Sequence, residues 1–186
     1  MKKLTIVLVL ALLCLKFYTQ AQEKAHLIDL KPGDKMPDVK ITNIINSKVS
    51  FAKISDYKGK LIILDFWSTW CAACIDGFSH LDSLQRLFPD KIHVLLVNPK
   101  KEGDNEKGVK VVINRMNEWS SHPFKLPIVL QDTAISNNFQ IHGLPHCAWI
   151  GPNGYVIGIT GKEEVTLENI KKGIAGEMIE ITEGKH

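Results

Sequence analysis

Cys71 and Cys74 are the residues whose types and spacing speak most directly of chemistry. They follow the run Leu61-Ile62-Ile63-Leu64-Asp65-Phe66-Trp67, whose apolar, β-branched and aromatic character reads as a buried strand. Beyond them Ile75, Phe78, Leu81, Leu84, Leu87 and Phe88 recur along one helical face, with Ser68 or Thr69 available as its cap. The cysteines therefore fall at a strand-to-helix junction, in the first turn of the helix. Unpaired backbone N–H groups and the positive end of the helix dipole favour a thiolate there. The i, i+3 spacing also brings both sulfurs to one side of the turn, within reach of a disulfide. The expected chemistry is a dithiol/disulfide switch.

The remaining elements must hold that switch. At 186 residues the chain suits one domain plus a short extra segment. Lys2 and Lys3 precede an apolar run from Leu4 to Leu15, and Thr19-Gln20-Ala21 offers small residues before Gln22, so residues 1–21 read as a secretory signal peptide and 22–186 as the domain. An uncleaved anchor is the alternative. The net charge of +3 belongs to that leader, which holds three lysines and no acid; the rest is formally neutral and gives no argument for nucleic acid or an anionic membrane surface. Without Cys14, three cysteines remain, Cys71, Cys74 and Cys147, too few for a disulfide-stapled scaffold.

In chain order, Gln22 to Lys31 reads as polar and loose, with Leu27, Ile28 and Leu30 able to pack. Val39, Ile41 and Ile44, then Val49 and Phe51, give two alternating stretches around Asn46-Ser47, an N-terminal β-hairpin extension. Lys91 to Val97 is a second buried strand, so strand, helix and strand form a right-handed βαβ unit with parallel strands. Val111-Val112-Ile113 with Met116 and Trp119 suggests a helix, with Trp119 expected in the core. Leu126 to Leu130 is a short strand and Ala134 to Phe139 a short helix. Ile141 to Ile150 and Tyr155 to Ile159, joined by Gly151-Pro152-Asn153-Gly154, form an antiparallel pair. Val165 to Ile174 is a closing amphipathic helix, and little is expected to hold the tail beyond Gly176.

The chain resembles the thioredoxin superfamily, and more narrowly the exported thiol-disulfide oxidoreductases of the TlpA/ResA type, from Pro32 to Lys172. The resemblance rests on Gly33-Asp34-Lys35-Met36-Pro37, on Asp56-Tyr57-Lys58-Gly59-Lys60, on Asp65-Phe66-Trp67-Ser68-Thr69-Trp70-Cys71-Ala72-Ala73-Cys74 and on Gly143-Leu144-Pro145. It implies an α/β thioredoxin-like fold, a central mixed sheet flanked by helices. It makes Cys71 the exposed nucleophile, Cys74 the buried resolving thiol and Pro145 a cis-proline beside them, with Trp70 and Leu144 meeting an extended substrate. Asp65 matches the buried acid that moves a proton on or off the resolving cysteine, and a carboxyl in an apolar strand does have a raised pKa. The alternative is that Asp65 only bonds nearby backbone. Ala72-Ala73 departs from the family's usual intervening pairs and supplies no basic group, which points to a reducing couple. The strand Ile92–Val97 lacks the lysine that often accompanies the buried acid. Cys147 reads either as a small buried hydrophobe or as a third thiol near the pair, and His146 either as part of the substrate groove or as a neutral surface histidine.

The function these readings imply is disulfide exchange outside the cytoplasm, in the periplasm or cell envelope. The expected partners are a disulfide-containing client protein and a membrane-borne thiol-disulfide electron donor. A monomer is expected. No nucleotide or flavin motif occurs, so no cofactor is expected, and no resident metal. The rival reading is a Cu(I)-binding chaperone using the same cysteines, since soft thiolates suit Cu(I). Haem attachment is excluded because Ile75, not histidine, follows Cys74.

Overall fold

The structure is a computed structural model that describes residues 28–181. The expected signal peptide lies outside the described residues. An unbroken run of buried residues forms the central strand. Counting strands along the chain, β1 spans Lys40–Thr42, β2 Ile44–Ile45, β3 Phe51–Lys53 and β4 Leu61–Phe66; β5 spans Ile92–Pro99, β6 Ile128–Asp132, β7 His146–Ile150 and β8 Val156–Thr160. Every residue of β4 is buried, as expected of a strand covered on both faces. It pairs in parallel with β5 and antiparallel with β7. The whole sheet runs β2-β6-β5-β4-β7-β8. Helix α1 (Ala72–Leu87) connects β4 to β5, α2 (Glu106–Trp119) connects β5 to β6, and α3 (Leu167–Ala175) follows β8. The β7–β8 connection turns at Gly154, whose φ of 85° suits glycine.

Alternation along the strands divides the core in two. Leu61 and Ile63 of β4, Val94 and Leu96 of β5 and Trp149 of β7 join one cluster with Phe78 and Leu81 of α1, Val109, Val112 and Met116 of α2, and Ile170 of α3. Ile62, Leu64 and Phe66 join the other, covered by Met36, Ile41, Ile54, Ile135 and Phe139. Asp65 follows the parity of Leu61 and Ile63, which directs it toward α1. At Gly173 of α3 a Cβ would lie 2.8 Å from Leu61 Cδ2, so a larger residue there would have to displace the buried Leu61 side chain or lift the helix off β4.

Several expectations are corrected. The N-terminal hairpin is β1 paired with β3, but Ile44 leaves it and joins the main sheet as the edge strand β2. The cause is local: Asn43 and Asn46 adopt φ of 57° and 54°, which asparagine tolerates. Their side chains donate to the carbonyls of Leu130 (2.9 Å) and Leu126 (2.9 Å), clamping the short strand onto β6. Trp119 is 66% exposed rather than in the core; it is the last residue of α2, with the Arg115 guanidinium 5.5 Å above its ring. Residues 28–30, the described part of the stretch expected to be loose, are held by backbone bonds from Ile28 and Leu30 to Asn137 and Asn138, and Leu30 packs as its apolar character allows. Past Gly176, Ile179 is buried and its N–H bonds to Ile157 O at 2.7 Å.

Candidate active site

Cys71 is the residue that caps α1, and Cys74 is the third residue inside it. Neither Ser68 nor Thr69 caps the helix: Ser68 is buried behind the loop, and Thr69 is engaged elsewhere. The Cys74 N–H is shared between Cys71 O (3.1 Å) and Cys71 Sγ (3.3 Å), so a donor of the first turn serves the sulfur. The two cysteines are joined by a disulfide, with Cα atoms 5.3 Å apart. Cys71, expected at the surface, is 5% exposed in this oxidised state, and Cys74 2%. Trp70 beside them is 64% exposed. No acid lies in the first turn of α1, so nothing there opposes the dipole.

The Leu144–Pro145 peptide is cis, and Pro145 meets Cys74 in the lining of a cavity of about 240 Å³. Asp65, Cys147, His80 and Lys162 also line it. A larger groove of about 710 Å³ between the turns at Lys100–Glu102 and Ser136–Asn138 contains neither sulfur, so the smaller one is the site of interest. Asp65 is 3% exposed. Burial pushes its carboxyl up to about 7, opposed by a hydrogen bond from Cys147. Cys147 Sγ donates to Asp65 Oδ1 at 3.2 Å. The thiol stays protonated, because burial first and the Asp65 charge second raise its pKa well above the usual range. Cys147 is thus buried but not merely apolar.

Three residues that carry the site's geometry escaped the sequence reading. Lys162, on the loop after β8, donates from Nζ to Ala73 O (3.1 Å), between the two cysteines. The basic group missing between the cysteines comes from a distant part of the chain. Asp104, in the loop before α2, is buried and accepts from Thr69 N (2.8 Å), from Thr69 Oγ1 and from Asn98 Nδ2 (2.6 Å). Asn98 Nδ2 also reaches Trp67 O (3.2 Å). This network fixes the loop that delivers Cys71. The only sequence signal for it was a polar pair, Asn98 and Asp104, on either side of a charged loop. His146 turns away: it is half-buried, packs 5.6 Å from the Phe66 ring and is absent from the cavity lining.

Comparison with known proteins agrees with this geometry. A family model described as thioredoxin-like matches residues 59–156, from just before β4 to the start of β8. The thioredoxin-like protein YneN of Bacillus subtilis is 24% identical over 142 residues, covering 74% of this chain and 78% of that one. The thiol-disulfide oxidoreductase ResA of Geobacillus kaustophilus is 28% identical over 146 residues, covering 75% and 78%. Among solved structures, the thioredoxin domain of a Bacteroides vulgatus thiol-disulfide oxidoreductase superposes with a TM-score of 0.58 at 19% identity, covering 80% of this chain and 98% of that one. A DsbF homologue from Corynebacterium diphtheriae gives 0.57 at 19%, covering 80% and 91%. These structural likenesses carry the fold. With the family match spanning more than half of the chain, this protein belongs to the thioredoxin-like family.

Proposed function

We propose that the protein is a thiol-disulfide oxidoreductase that works outside the cytoplasm and reduces disulfides in client proteins. The observation that carries this reading is the capping of α1 by Cys71, whose sulfur receives the N–H of its own partner cysteine. Relatives named thiol-disulfide oxidoreductases support the activity, and the leader-like residues 1–21 support export.

In the reduced enzyme the Cys71 thiolate attacks one client sulfur. The client S–S bond breaks, a Cys71–client disulfide forms, and the first client sulfur leaves as a thiolate. Cys74 then loses its proton and attacks Cys71 Sγ, which breaks the mixed disulfide and releases the second client thiolate. Two electrons have passed to the client, and the enzyme is left with the Cys71–Cys74 disulfide. Asp65, buried on the cavity that Cys74 lines, receives the Cys74 proton; a group titrating near 7 can do so at neutral pH. Trp70 and the Leu144–Pro145 segment receive the client chain, with Leu144 offering backbone groups. A membrane-borne thiol donor returns the enzyme to the dithiol.

Trapping tests this directly. Cys74→Ser should accumulate a mixed disulfide between Cys71 and a disulfide-containing substrate such as insulin, and Cys71→Ser should not. A mixed disulfide formed equally through Cys147 in both variants would overturn the assignment.

A further inference from the structure

We infer that Cys147 is a positioning residue for the exchange reaction: its thiol holds the Asp65 carboxyl and sets how readily that carboxyl takes the Cys74 proton. The inference rests on the oxidoreductase reading above.

The sheet itself puts the two together. Asp65 and Cys147 are directly opposed across the antiparallel pair β4–β7, and the alternation of both strands sends both side chains toward α1. The separation of 3.2 Å joins two groups that are 3% and 0% exposed. Among the described residues, this is the one side-chain hydrogen bond that Asp65 makes. Burial without a donor disfavours a carboxylate strongly relative to water, and the S–H group is the side-chain donor that offsets part of that cost. The choice of donor matters. A thiol is a weak donor; it steadies the carboxylate without fixing it in that state, as a group that must take and release a proton requires.

The surroundings fit a path for that proton. Cys74, Asp65 and Cys147 line one cavity, whose mouth carries Asp76 and His80 from α1 and Lys162 and Glu163 from the loop after β8. Glu164 adds a weaker negative field at Cys147. His80 Nε2 is already paired with Val165 O at 2.8 Å, and Lys162 with Ala73 O. Neither of these bonds involves Cys147, so a change at residue 147 is aimed at the S–H···O bond alone.

The test compares wild type with Cys147→Ser, a stronger donor, and Cys147→Val, which has none; Cys147→Ala is the second apolar variant should valine crowd the strand. The Asp65 carboxyl is titrated by carbon NMR in the oxidised protein, with Asp65→Asn identifying the signal, and mixed-disulfide resolution is followed against pH. The Asp65 midpoint should rise by about half to one pH unit in the apolar variants, the scale of one lost hydrogen bond, and fall in Cys147→Ser. The pH profile of resolution should move in the same order. An Asp65 midpoint unchanged in all variants, or displaced the same way by serine and valine, overturns the proposal. Wild-type protein that exchanges no disulfide would instead refute the oxidoreductase reading, a separate result.

Discussion

Replacing Asp65 by asparagine should remove a pH dependence from the stability of the oxidised protein, by an amount that the structure sets. Burial moves the Asp65 carboxyl from 3.8 to about 7 in the folded protein, while the unfolded chain keeps the ordinary value. The folded state therefore holds this proton more tightly. The group's contribution to stability is greatest below about pH 4, declines as pH rises through the interval and levels off above about pH 7. At about 1.4 kcal/mol per pH unit, the whole decline amounts to about 4 kcal/mol. Asparagine has no proton to lose. The difference in unfolding free energy between Asp65→Asn and wild type should thus grow by about 4 kcal/mol in favour of asparagine from pH 4 to pH 8. Guanidinium denaturation of both oxidised proteins across that range supplies the measurement. Taking the difference cancels every titration the two proteins share. A difference that stays constant within about 1 kcal/mol, or that moves in favour of wild type between pH 4 and pH 8, would refute the claim that Asp65 is buried at a desolvation cost.

Other outcomes follow from the same geometry. Asp104→Ala strands the Thr69 and Asn98 donors and should cost about 2 kcal/mol in a denaturation midpoint; it should also slow attack by Cys71, because the loop before it loses its tie. Lys162→Met removes a half-exposed cation bonded to Ala73 O and should change stability by less than about 0.5 kcal/mol. In the reduced protein it should move thiolate formation, read by absorbance near 240 nm, to higher pH, because a nearby positive charge is lost. No change in that titration would place the thiolate's stabilisation in the helix terminus alone.

The switch itself was legible because its signals are local. An apolar strand, two cysteines three apart and a periodic helix identify a strand-to-helix junction wherever they occur in a chain. The βαβ unit and the closing hairpin were legible for the same reason, from runs and turns. What the sequence hid was contact between distant segments. Asp65 and Cys147 are 82 positions apart, and only the β4–β7 register makes them partners. Lys162 reaches the cysteine dipeptide from 89 positions away, so counting charges between the cysteines missed it. The edge strand β2 was misread because alternation alone joins Ile44 to its hairpin, whereas the left-handed turns at Asn43 and Asn46 swing it to another sheet. Trp119 was misplaced because helical periodicity says which face a residue takes and not where the packed stripe ends.

The most direct measurement is the midpoint potential of the Cys71–Cys74 couple, by equilibrating the purified protein with graded thiol-disulfide buffers. A single two-electron transition is expected near the thioredoxin end of the scale, about −270 mV, present in Cys147→Ser and absent in Cys71→Ser and Cys74→Ser. A midpoint near about −120 mV would contradict the reductive direction. A protein with no such couple, carrying metal on the two thiols instead, would contradict the oxidoreductase itself.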